Sequence, residues 1–224
     1  MDRMYRHQFR AQLKSESGAK FIDLINDCKK EVEEVLRNYT VNWLRIFQFE
    51  DQLFVYLESS LLLPNFNLPA TLSEYLLDWP GNIDARKFVA MLDIFHDAIP
   101  RQESIWRSDL SSRESAGSIV YLRPEKYCSY VFYHFQLQEE GVRKFNKYYL
   151  IGAHENCLFS YQESPAEIDV TNHDRVLGTT NSPENWGELM AEHFKPWQAN
   201  REDGESWKKM TEVFSYSGVS KLEL

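Results

Sequence analysis

Residues 4–13 alternate, with Phe9, Ala11 and Leu13 set between Gln8, Arg10 and Gln12, the two-residue period of a strand with one apolar face. The period then changes. Phe21, Ile25, Cys28, Val32 and Val35 follow at steps of four and three, which predicts an amphipathic helix over 19–37 with Lys29, Lys30, Glu31, Glu33 and Glu34 largely on its wet side. Residues 43–49 and 52–58 predict a hairpin turning at Glu50-Asp51, without the strong Asn-Gly signal. Past the Pro/Asn-punctuated loop 61–69, a short helix is predicted over 71–79, ended by Pro80-Gly81. A further helix is predicted over 84–96, where Phe88, Met91, Leu92 and Phe95 have helical spacing. After a polar stretch from Ser108, residues 118–122 read as a strand.

The second half starts near Lys126 with 127–137, rich in aromatic and β-branched residues, as strands prefer. Strands are predicted over 148–153 and 158–163, joined by a turn at 154–157. Ser182-Pro183-Glu184 has the form of a helix start, with an N-cap, a first-turn proline and an acid. That helix turns Trp186, Leu189, Met190 and Phe194 inward, and residues 207–216 supply the last strand.

The halves echo one another. Glu50 to Ser59 reads EDQLFVYLES and Glu155 to Ser164 reads ENCLFSYQES, six of ten positions identical at a constant offset of 105. Phe9 to Leu13 matches Tyr133 to Leu137 at an offset of 124, and the 19-residue difference is about the length of a helix. These matches predict an α+β fold of tandem ferredoxin-like βαββαβ repeats. The two would form an intramolecular dimeric α+β barrel, with the second repeat lacking most of its first helix. The repeats would span 1–124 and 125–224.

Composition narrows the function classes. With 224 residues, 43% hydrophobic and 14% aromatic, there is ample material for packed cores. A net charge of −9 argues against a broad nucleic-acid footprint. Cys28, Cys128 and Cys157 are odd in number, widely spaced and free of a CxxC pattern, so neither a disulfide framework nor a thiolate metal site is indicated. The N-terminus has no long apolar core of a signal, and no stretch approaches the roughly 18 apolar residues of a membrane span. A soluble, cytoplasmic protein with no membrane partner is the expectation.

The segments 12–36, 44–59, 190–194 and 210–214 resemble the L-rhamnose mutarotase family of the dimeric α+β barrel superfamily. The resemblance implies an enzyme that interconverts sugar anomers by acid/base catalysis without a cofactor, here as a pseudo-dimer within one chain. The tyrosine and histidine that the family places on its first helix fall on Phe21 and Ile25, neither of which transfers a proton. Of the family's tryptophan pair, the second repeat keeps Trp186 before Gly187, while the first has Lys87 and Phe88.

If the apolar strand faces meet the helices, the opposite faces line the barrel. Strand parity then brings Gln8, Arg10, Gln12, Tyr56 and Glu58 together with His134, Gln136, Tyr161 and Glu163. Such groups can hydrogen-bond a small polar molecule such as a monosaccharide while Phe54, Phe159 or Trp186 packs on it. Mutarotation needs an acid at the ring oxygen and a base at the anomeric hydroxyl, roles open to His134 with Glu58 or Glu163. His154 and His193 are the alternatives for metal or haem ligation, but no HxH, HExxH or Cys/His cluster points to a metal. The competing classes are a monooxygenase-like or haem-associated barrel enzyme and a non-catalytic module whose barrel has filled with side chains. Further oligomerisation is compatible with each.

Overall fold

The computed structural model describes residues 3–80, 85–100, 106–107, 113–141, 144–169, 177–197 and 206–218. Expectations for 108–112, 198–205 and 219–224 lie outside the described residues. The chain divides into two compact units, Met1–Met91 with Pro100–Ser111 and Thr211–Leu224, and Leu92–Ile99 with Ser112–Met210.

The first unit contains β1 (Tyr5–Gln12), α1 (Gly18–Asp27), α2 (Lys29–Asn38), β2 (Val41–Phe49), β3 (Gln52–Ser59), the short α3 (Ala70–Ser73) and β4 (Phe88–Ala90). Strand β10 (Thr211–Ser217) joins its edge, giving the order β10-β2-β3-β1-β4 with antiparallel pairing throughout. Without β10 this is the ferredoxin-like order of a split βαβ unit. Phe9, Ala11, Leu44, Ile46, Leu53, Val55 and Leu57 pack with Phe21, Ile25, Val32 and Leu36 into one core. Phe21 and Ile25 are both 0% exposed. At about 1.5–3 kcal/mol for each fully buried side chain, these two positions serve packing. The predicted single helix is two, because the chain leaves helical geometry at Cys28, whose N–H and Sγ both bond the Leu24 carbonyl at 2.9 Å.

The second unit contains β5 (Leu92–His96), β6 (Glu114–Tyr121), α4 (Tyr127–Glu140), β7 (Leu150–His154), β8 (Cys157–Ser164), α5 (Trp186–Ala191) and β9 (Lys208–Lys209). Its antiparallel order is β5-β7-β8-β6-β9. The two sheets thus share one topology, with β6 as the opening strand of the second. Only Met91 separates β4 from β5, and only Met210 separates β9 from β10, so each run of extended chain leaves one sheet and continues in the other.

Further expectations change. The segment 84–96 is not a helix where it is described: Phe88 belongs to the first core and Phe95 to the second. Apolar residues at helical spacing there serve two cores, with the chain passing between them at Met91. Residues 127–137 are not a strand but most of helix α4, so the second repeat retains its first helix. Aromatic residues on both sides of α4, Tyr130 inward and Phe132 and Phe135 outward, gave the segment the composition of a strand. Ser182 does not cap a helix, since its N–H and Oγ both bond the Glu140 carboxylate and α5 starts later, after Asn185.

The duplicated hairpins fold alike. Each turns through a left-handed glutamate, Glu50 at φ 53° and Glu155 at φ 55°, a conformation more costly for a residue with a Cβ than for glycine. Among the described residues no helix is long and apolar enough to cross a membrane.

Candidate functional site

In the first unit β3 is buried along its whole length. Leu53, Val55 and Leu57 enter the core beneath α1 and α2, so strand alternation sends Gln52, Phe54, Tyr56 and Glu58 to the opposite face. Arg6 and Trp43 flank Glu58 across the neighbouring strands, and Gln8 and Arg45 flank Tyr56. Gln8, Arg10, Tyr56 and Glu58 are buried on that face, while Gln12 is half-buried beside Gln52.

Among the described residues, Glu58, fully buried, is held by four hydrogen bonds. The Tyr56 hydroxyl donates to Oε1 at 2.6 Å and the Trp106 indole N–H to the same oxygen at 3.0 Å. Arg107 donates from Nη2 to Oε1 at 2.6 Å and from Nε to Oε2 at 2.8 Å, the two-pronged geometry that suits a carboxylate. Burial pushes the Glu58 carboxyl up, but the Arg107 charge and these hydrogen bonds outweigh it and hold the pKa below its ordinary value. The result is an ionised carboxylate both of whose oxygens accept from protein donors.

Trp43 extends the cluster. The guanidinium carbons of Arg45 and Arg107 both lie over its ring, 3.8 and 4.0 Å from the centroid. Arg45 also donates to the carbonyls of Leu44 and Tyr216 at 2.8 and 3.2 Å and lies 3.7 Å from Glu212. Arg6 sits over Trp106 at 5.2 Å. At the hairpin end Arg10 donates from Nε to Gln52 Oε1 at 2.9 Å and sits over Trp79 at 5.1 Å.

The second unit repeats the core of this motif. Tyr161, fully buried on β8, donates its hydroxyl to Glu163 Oε1 at 2.5 Å. Leu158 of the same strand enters the helix-side core, so Phe159, Tyr161 and Glu163 have the opposite parity. Gly117 and Leu150 flank Tyr161, and Ser115 flanks Glu163. The Glu163 carbonyl accepts from Asn146 Nδ2 at 2.8 Å, and Asn146 is fixed in turn by Asp97, which accepts its backbone N–H. Nearby, Arg113 and Lys147 both bond the Glu167 carboxylate.

His134, Gln136 and Trp186 lie elsewhere, because 127–137 is a helix. His134 is buried on the helix side of the second sheet, 4.0 Å from the Tyr130 ring and 4.9 Å from the Trp186 ring. Its Nδ1 lies 2.9 Å from the Tyr130 carbonyl, which can only accept, so Nδ1 carries the proton. Burial lowers its pKa to about 4. His134 and Glu163 therefore stand on opposite sides of one sheet and do not form an acid–base pair. Gln136 donates to Glu140 at 3.2 Å.

Sequence reasoning missed the carboxylate of Glu140. It accepts from Thr179 Oγ1, Asn181 N, Ser182 N and Ser182 Oγ at 2.6–2.9 Å, and ties the loop before α5 to the end of α4. Burial raises the Glu140 pKa, but the hydrogen bonds from Ser182, Thr179, Asn181 and Gln136 prevail and bring it to about 2. The sequence also gave no signal for Arg107, which reaches Glu58 across 49 residues. His193 bonds the Leu189 carbonyl through Nδ1 and Ser129 Oγ through Nε2, and His154 ends β7. Among the described residues no group of three or more His, Cys, Asp or Glu side chains is placed to hold a metal ion.

No protein-family model matches the chain, and no curated protein matches it. Among solved structures it is similar to a protein of Fusobacterium nucleatum subsp. nucleatum described as a "putative monooxygenase", at 7% sequence identity and a TM-score of 0.41, covering 96% of this chain and 95% of that one. A likeness at this level assigns neither substrate nor chemistry.

Proposed function

We propose that this protein binds a small, flat, aromatic molecule bearing an acidic group on the face of the first sheet that carries Tyr56 and Glu58, in line with the monooxygenase-like class rather than with a sugar mutarotase. The Arg45–Trp43–Arg107 stack carries the reading, because guanidinium and indole planes recognise flat anionic rings. A sugar would draw instead on carboxylates as acceptors, and both oxygens of Glu58 are held by Tyr56, Trp106 and Arg107. The separation of His134 from Glu163 by a sheet also speaks against anomer exchange at that pair.

Tryptophan fluorescence of the whole chain, titrated with salicylate, naphthoic acid, rhamnose, fucose and galactose, tests this. Saturable quenching by the aromatic acids alone is the expected result, weakened at least about ten-fold in Arg45→Gln, the loss of a good charged contact. Oxygen uptake with the bound acid then separates an oxygenase from a carrier. Sugar binding with anomeric exchange above the buffer rate, read by saturation-transfer NMR, would overturn the proposal in favour of mutarotation.

A further inference from the structure

In the second unit a serine meets a histidine at the start of α4. Ser129 lies in the first turn of that helix, half-buried, with its Oγ 2.9 Å from Nε2 of His193. His193 follows α5, is 2% exposed, and bonds the Leu189 carbonyl through Nδ1 at 2.8 Å. A carbonyl only accepts, so Nδ1 carries the proton and Nε2 turns its lone pair to the serine hydroxyl. The Lys126 carbonyl, 3.0 Å from Oγ, is the other acceptor for the same hydrogen. The segment that carries the imidazole is fixed to the residues before α4: Arg123 donates from its backbone N–H to the His193 carbonyl at 2.9 Å and from Nε to the Phe194 carbonyl at 3.1 Å, and Lys126 lies 3.8 Å from Glu192. The Tyr130 and Tyr133 rings meet the imidazole edge-on at 6.0 and 5.9 Å. Because His193 is closed to solvent and Ser129 is not, the pair presents the serine to an incoming molecule.

We propose that Ser129 and His193 are a nucleophile and base that cleave small acyl esters, an activity separate from ligand binding in the first unit. The arrangement is that of an activated serine: nucleophile and base within hydrogen-bond reach, and the base oriented by a third group, here the Leu189 carbonyl. Ser129 Oγ attacks the ester carbonyl carbon while its proton passes to Nε2. The bond from that carbon to the alcohol oxygen then breaks, the departing alcohol takes the proton from His193, and the acyl group stays on Oγ. A water molecule attacks the acyl carbon and gives its proton to Nε2, and Oγ recovers a proton as the acid leaves. The balance needs only the ester and water. A carbonyl behind the imidazole fixes its tautomer without the negative charge of a carboxylate, so turnover is slower than in a full triad. Phe132 and Tyr133, one turn further along α4, have their rings 5.8 Å apart, and helical side chains lean over the preceding turn. That aromatic surface suits a short apolar acyl group.

Release of p-nitrophenolate from p-nitrophenyl butyrate by the full chain tests the idea, together with labelling by a fluorophosphonate, whose phosphorus bonds Oγ as fluoride leaves. Ester cleavage above the buffer rate is expected, with a label that peptide mass spectrometry places on Ser129. Both should fall about a hundred-fold or more in Ser129→Ala and in His193→Gln, as when a nucleophile or its base is lost. Both should persist in Cys128→Ala, which removes the exposed neighbouring thiol as a rival acceptor of the acyl group. Circular dichroism checks the fold of each variant, and Ser129→Ala, which deletes one half-buried oxygen, decides alone if His193→Gln does not fold. Cleavage at the buffer rate, or no label on Ser129, overturns the proposal and leaves the pair as a tie between α4 and the segment after α5. So does cleavage that survives Ser129→Ala or a folded His193→Gln, or that vanishes in Cys128→Ala.

Discussion

The two units share a strand order, a left-handed glutamate in the hairpin and a buried tyrosine that donates to the glutamate two residues on, at 2.6 Å in the first and 2.5 Å in the second. They differ in what surrounds that pair. In the first, Arg107 and Trp106 close on Glu58 and two arginines lie over the Trp43 ring. In the second, Tyr161 is flanked by Gly117 and Leu150, and the cations Arg113 and Lys147 go to Glu167 instead. A repeated fold has kept its hydrogen-bonded strand motif while the side chains around it diverged, and with them the chemistry each face can offer.

The largest test of that difference is Arg107→Met. Removing one partner of a buried ion pair leaves the other charge uncompensated, so a loss of about 3–5 kcal/mol is expected in urea denaturation. Tyr161→Phe removes one donor from Glu163 and should cost about 1–2 kcal/mol. Equal losses would mean that both glutamates depend on their neighbours in the same way.

The histidine of the second unit gives a smaller, pH-dependent contrast. His134 has a pKa of about 4 when folded against 6.5 as its ordinary value. The unfolded chain therefore binds more protons between those values, and stability should fall as pH drops from 6.5 towards 4. The full effect is about 3 kcal/mol at 1.36 kcal/mol per unit. His134→Phe should flatten this slope in pH-dependent denaturation, and an unchanged slope would remove His134 as its source. Smallest are the two hairpin turns: Glu50→Gly and Glu155→Gly should each stabilise by up to about 1 kcal/mol, since glycine adopts positive φ without a Cβ clash. Unequal thermal shifts would show that the turns are not energetically equivalent.

Much of the fold was legible because its signals are local. The alternation around Phe9 and the hairpin repeat Glu50 to Ser59 gave the strands, the duplication and the parity that put Tyr56 and Glu58 on one face. Helix α4 was not legible as such, although Tyr127, Tyr130, His134 and Leu137 are spaced three, four and three apart. Its outward phenylalanines hid the amphipathic contrast on which a helix is recognised.

The sequence by itself determined the class of fold and the paired Tyr-x-Glu strands, because alternation and turn chemistry act between neighbours along the chain. Only the tertiary structure decided which groups meet: that Arg107 neutralises Glu58 from 49 residues away, that Phe88 and Phe95 enter different cores, and that His134 stands behind the sheet from Glu163. Those outcomes depend on strand pairing and burial between distant segments, where a low-dielectric interior fixes the charge state of each side chain only after its partners have been brought together.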